Sequence, residues 1–100
     1  MKTSDHSDLN DMRLCVDSTD KMLLSLLADR LDTCDIIGRL KEDMRLPTDQ
    51  PEREARIIAD LRREAQRLGL DPEFVRQLWT LILGESRARQ NRQRCITSAT

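Results

Sequence analysis

The chain predicts an all-α domain of three helices, the first of them long. Aromatic residues make up 2% of its 100 residues, with one Phe, one Trp and no Tyr, which is too few for a β-sandwich. Apolar residues recur at spacings of three and four, the period of a helix face rather than of a strand. Gly and Pro fall where two breaks are needed, Pro47 with Pro51 and Gly69 with Pro72, leaving three periodic stretches. These set the expected boundaries: a polar, flexible leader at 1–7, a helical domain at 8–94 and a flexible tail at 95–100.

The first helix is expected over 8–42. Leu9, Met12, Val16, Leu23 and Leu27 begin its stripe, and the weak helix formers Asp17, Ser18 and Thr19 leave room for a kink. A helix of that span is roughly 50 Å long, against a radius of roughly 13 Å for a globule of this size. Either another subunit packs along it or its N-terminal half is loose. Over 23–41 the stripe changes character, because Leu23, Leu27, Arg30, Cys34, Ile37 and Lys41 share one face. Arg30 and Lys41 are offset by about 1100°, within about 20° of three turns, and by roughly 16 Å of rise. Arg30 alone reads as a side chain snorkelling to water. Two cations on one apolar face are costly unless something negative lies between them. Asp29 and Asp32 sit about 100° and 200° around the helix from Arg30, and Glu42 is turned from Lys41, so a bound dianion is a candidate.

The second helix opens at Pro51, with Thr48 or Asp49 placed to cap it. It buries Ile57, Ile58, Leu61, Ala65 and Leu68 and ends on Gly69 in the left-handed conformation. Asp71 caps the third helix, whose core face is Phe74, Val75, Leu78, Trp79, Leu81, Ile82 and Leu83, with Gly84 an interior weak point. Ser86 and Gln90 extend that face with polar groups where apolar ones should continue. They either mark where the helix leaves the core or form a second polar wall of a site.

Net charge is −1 and the pI about 5.8, so no global field attracts nucleic acid or an anionic membrane. Arg87, Arg89, Arg92 and Arg94 have no interleaved aromatics and read as a solvated face. Cys15, Cys34 and Cys95 form no CxxC pair, and His6 is the single histidine, so neither disulfides nor a metal site is expected. The N-terminus lacks the apolar core of a signal peptide and no apolar run approaches about 20 residues, which predicts a cytoplasmic protein without membrane contact.

Arg13, Arg30 and Lys41 on a long first helix, the run Gln50-Pro51-Glu52-Arg53-Glu54 opening the second, and Glu85-Ser86 with Gln90 on the third together resemble the all-helical chorismate mutases over about residues 9–93. The resemblance implies two chains intertwined as a six-helix homodimer, long first helices packed together. It also implies an isomerase of aromatic amino acid biosynthesis that needs no cofactor. The reaction is the Claisen rearrangement of chorismate to prephenate, a concerted shift without nucleophile or proton transfer. Such a reaction needs a bis-carboxylate held in a compact chair and donors aimed at the ether oxygen. Carried over by position, Arg30 and the partner chain's Arg13 clamp the carboxylates and Ser86 assists one of them. Lys41 and Gln90 are then the ether-oxygen donors, Arg53 supports the substrate, and Glu54 reads the ring hydroxyl. Arg13 lies about 1700° and roughly 25 Å before Arg30 on the same helix, so it serves the other chain's pocket.

One position departs from the pattern. Gln50 stands where many members carry an Asp facing the ring hydroxyl, which bears on substrate choice. Relatives of the same architecture rearrange 4-amino-4-deoxychorismate or eliminate pyruvate from isochorismate, and both remain alternatives, although Ser86, Gln90 and Glu54 favour the mutase. A non-enzymatic alternative is a helical regulatory dimer presenting the Arg-rich third helix to an acidic partner. It gives no reason for Arg30 and Lys41 to share a face.

Overall fold

The computed structural model describes residues 2–99, with side chains described over 6–96. Met1 and Thr100, which belong to the expected leader and tail, lie outside the described residues. The described chain is helical in three elements, α1 (Lys2–Asp43), α2 (Pro51–Leu68) and α3 (Pro72–Ala99). Helix α1 thus reaches further toward the N-terminus, and α3 further toward the C-terminus, than apolar periodicity alone placed them. The chain divides between Thr33 and Cys34 into two compact units.

The N-terminal unit is the larger part of α1. It stays helical through Asp17, Ser18 and Thr19, where the Thr19 hydroxyl donates to the Cys15 carbonyl at 2.9 Å, one turn back. Most of its apolar residues are exposed: Leu9, Met12, Val16, Leu23, Leu24 and Leu26 all show about half or more of their surface, while Leu27 and Leu31 are half-buried.

The C-terminal unit contains the last turns of α1 and the hairpin of α2 and α3. Helix α1 ends with the Leu46 N–H on the Lys41 carbonyl at 2.7 Å and the Arg45 N–H on the Glu42 carbonyl at 3.0 Å. That is a Schellman closure, with Arg45 at φ 59° in the left-handed position usually given to glycine. Helix α2 begins at Pro51 in its first turn, but its N-cap is Gln50, without a side-chain cap hydrogen bond. Thr48 and Asp49 therefore do not cap it. Proline supplies no N–H in the first turn, so less is left to cap. Gly69, at φ 76°, closes α2 by the same bond pattern as α1, with the Leu70 N–H on the Ala65 carbonyl at 2.8 Å. Asp71 caps α3 as expected, its Oδ1 accepting the Glu73 N–H at 3.0 Å.

The core of this unit is small. Ala65, Val75 and Leu83 are buried, and Ile57, Ile58, Leu61, Trp79 and Ile82 half-buried. Leu68, Phe74, Leu78 and Leu81 were expected inside and are exposed, as is Ile37 on α1. Helices α2 and α3 cover each other on one side only, and these residues stand on the sides left uncovered. Surface pairs three residues apart stitch the helices. The Arg76 guanidinium holds the Glu73 carboxyl below its ordinary range, and Arg67 does the same for Glu64. All four side chains are 41–68% exposed, so these pairs stabilise little.

Candidate active site

Lys41 lies in the last turn of α1, where a cation is favoured by the helix dipole. Its ammonium donates to the Thr48 carbonyl at 3.2 Å and to Gln90 Oε1 at 3.4 Å. Both acceptors are neutral, and a third N–H remains uncommitted among the described residues. Gln90 is buried, and its Nε2 donates to the Cys34 carbonyl at 2.8 Å. One amide hydrogen is held there, leaving the other available. A charged donor and a neutral donor therefore stand side by side, each fixed by a backbone carbonyl and each with an N–H to give.

The contact that brings Gln90 against α1 depends on Gly38. A Cβ at that position would lie 2.6 Å from Gln90 Cγ and 3.0 Å from its Cδ, closer than packed atoms tolerate. In the sequence Gly38 shows only as a glycine within the helical run of α1. Periodicity carried no sign of its role, which is set by a side chain 52 residues away.

Ser86 stands one turn before Gln90 on the same face of α3 and is buried. Its hydroxyl has no hydrogen-bond partner among the described residues, a state that costs about 1–3 kcal/mol. Glu54, half-buried in the first turn of α2, is ion-paired with Arg87. Gln50 is half-buried and its amide is not engaged in capping, while Arg53 is exposed. The structure thus brings Lys41 and Gln90 into contact and sets Ser86 beside them on α3. Arg13 and Arg30 belong to the N-terminal unit, the first exposed and the second half-buried.

Of the four arginines expected on a solvated face of α3, Arg87, Arg89 and Arg94 are instead engaged with other parts of the chain. Arg87 pairs with Glu54 and Arg89 with Asp35, the latter at 2.5 Å, both part-buried, and Arg94 Nη2 donates to the Leu46 carbonyl at 2.7 Å. Arg92 reaches Glu85 at 3.1 Å and stays exposed. Charge alternation hid these pairings because each joins residues far apart in the chain or seven apart on α3. A surface groove of about 270 Å³ opens beyond Gln90, lined by Asp35, Gly38, Arg39, Glu42 and Arg89 among others. Gln90 itself lines it, whereas Lys41 and Ser86 do not, so the groove touches the donor pair on one side only. Among the described residues no group of three His, Cys, Asp or Glu is placed to hold a metal ion, and no helix is long and apolar enough to cross a membrane.

Known proteins resemble this sequence. A family model described as chorismate mutase type II matches residues 12–91. A T-protein of Enterobacter agglomerans is 38% identical over 85 residues, which is 85% of this chain and 23% of that protein. A T-protein of Haemophilus influenzae is 32% identical over 83 residues, covering 83% of this chain and 22% of its own length. A 4-amino-4-deoxychorismate mutase of Streptomyces pristinaespiralis is 37% identical over 78 residues, 78% of this chain and 60% of that protein. The chain spans less than a quarter of the two T-proteins. With residues 12–91 matched by the family model, and with Lys41, Ser86 and Gln90 gathered in one unit, the chain belongs to the chorismate mutase type II family.

Proposed function

We propose that the chain rearranges chorismate to prephenate. The ether C–O bond breaks as a C–C bond forms, and no proton changes hands, so the protein's task is to hold the chair and to meet charge growing on the ether oxygen. The observation that carries this reading is the Lys41–Gln90 pair at 3.4 Å, with uncommitted N–H groups on both. Removal of one such preorganised donor costs about a hundredfold to a thousandfold in other enzymes. Arg30 and the partner's Arg13 would bind the two carboxylates, Ser86 would offer its unpartnered hydroxyl to one of them, and Arg53 would support the substrate from α2. Glu54 and Gln50 would face the ring hydroxyl.

The same reading requires a homodimer with α1 helices packed along each other. Its support is the exposed apolar row of α1 and, among the described residues, a buried apolar core of Ala65, Val75 and Leu83. The catalytic domain is assigned to 8–94. The three cysteines are free thiols, in keeping with a reducing cytoplasm.

The test is to follow chorismate loss and prephenate formation with the purified chain. Steady turnover that fails in Lys41→Ala and Gln90→Ala is expected; an inert parent chain sinks the reading. The likeness to a 4-amino-4-deoxychorismate mutase favours a second substrate, the 4-amino compound, and preferential turnover of that compound would move the assignment to it. Pyruvate release from isochorismate would move it to the lyase.

A further inference from the structure

Glu54 does not meet a ligand as a lone anion. Its Oε1 is bound by Arg87 Nη1 across the α2–α3 interface, and the two side chains are only 23% and 35% exposed. Arg87 directly follows Ser86 and precedes Gln90 by three residues, so its guanidinium arises within the polar stretch of α3 that carries two site residues. Gln50, also assigned to that end of the pocket, carries no charge. A lone carboxylate attracts an ammonium strongly. One already neutralised by a guanidinium sets attraction against repulsion of similar size. A neutral hydroxyl loses little by comparison, since Glu54 Oε2 remains to accept its hydrogen bond.

From this pairing we infer that Arg87 determines substrate specificity, directing the site to compounds with a neutral hydroxyl on the ring carbon facing Glu54 and away from those with an ammonium there. The inference rests on the proposed orientation of chorismate in this site.

The experiment measures kcat/KM for chorismate and for 4-amino-4-deoxychorismate in the parent, Arg87→Met and Arg87→Lys chains. The quantity read is the ratio between the two compounds, because partial misfolding lowers both and leaves the ratio unchanged. Arg87→Met is expected to shift the ratio toward the amino compound by at least about tenfold, equivalent to about 1.4 kcal/mol, while Arg87→Lys, which keeps the charge, retains the parent's preference. An unchanged ratio in Arg87→Met overturns the inference. Should that variant fail to fold, Glu54→Gln is the second arm. Leaving the guanidinium unmatched should reduce turnover of the amino compound at least about tenfold more than that of chorismate, and an equal loss overturns the inference. A parent that turns over neither compound removes the underlying site reading as well, an outcome distinct from an unchanged ratio.

Discussion

Ser86 keeps a buried hydroxyl that has no hydrogen-bond partner among the described residues. Replacing it by Ala removes an unsatisfied group, so Ser86→Ala is expected to raise unfolding free energy by about 1 kcal/mol while raising KM. Urea melts and steady-state kinetics check both halves, and loss of stability with unaltered KM contradicts the assignment. Gln90 admits a sharper test. In Gln90→Glu an ionised carboxylate would face both the Cys34 carbonyl and an ether oxygen gaining negative charge, whereas the protonated form has one O–H to give. Burial raises such a carboxyl above its ordinary value of about 4.3 and the Lys41 ammonium lowers it. Activity is therefore expected to be weak at neutral pH and to rise as pH falls through that pKa, against a flat profile for the parent. A flat profile at parental rate in the variant would show that Gln90 is not the donor. That Lys41 and Gln90 each interrupt an apolar stripe was legible in the sequence, while their joint role as donors was implied by the resemblance to the chorismate mutases. Gly38, the Cys34 and Thr48 carbonyls and Arg87 were not legible, since what each does depends on a neighbour that only folding brings near.

Helices α1 and α2 end in the same hydrogen-bond pattern, yet one uses Arg45 and the other Gly69 at the left-handed residue. A side chain there costs roughly 1–2 kcal/mol, partly offset by the greater chain entropy that glycine loses on folding. Arg45→Gly should therefore raise the urea midpoint, by about 0.5–1 kcal/mol in free energy, and a lowered midpoint would mean that the arginine makes a contact outweighing its strain. The glycine end was readable from sequence, while the arginine end was hidden because nothing in Asp43-Met44-Arg45 signals a left-handed turn. Helix existence and the three boundaries near Pro51, Gly69 and Asp71 followed from local chemistry. The buried faces followed less well, since Leu81 and Phe74 fit an apolar count but stand on the side that α2 leaves uncovered. At the ends of the pH range, Glu64 and Glu73 have folded carboxyl pKa values below the ordinary ones. The small stability they add is present at neutral pH and is lost as pH falls through those lowered values.

At the scale of the molecule, Leu9, Met12, Val16, Leu23 and Leu26 form an exposed apolar row that the α1 helix of the proposed homodimer's second chain would cover. The chain is expected to sediment as a dimer at micromolar concentration, and a stable folded monomer would contradict the intertwined arrangement. The stronger form of this expectation concerns Arg13 and Arg30. Each Ala variant alone should be inactive, but co-refolding the two should restore activity, because one pocket of the mixed dimer then carries both lesions and the other none. Mixtures that stay inactive would place Arg13 outside the partner's pocket. Within the C-terminal unit, Lys41 does two things at once. Its carbonyl secures the end of α1 through the Leu46 N–H, and its ammonium secures the approach to α2 through the Thr48 carbonyl. The connection between the two helices is thus a loop buckled at both ends by a single residue. Lengthening or shortening it would carry the Thr48 carbonyl away from that ammonium, so the length of this loop bears on where the positive charge sits.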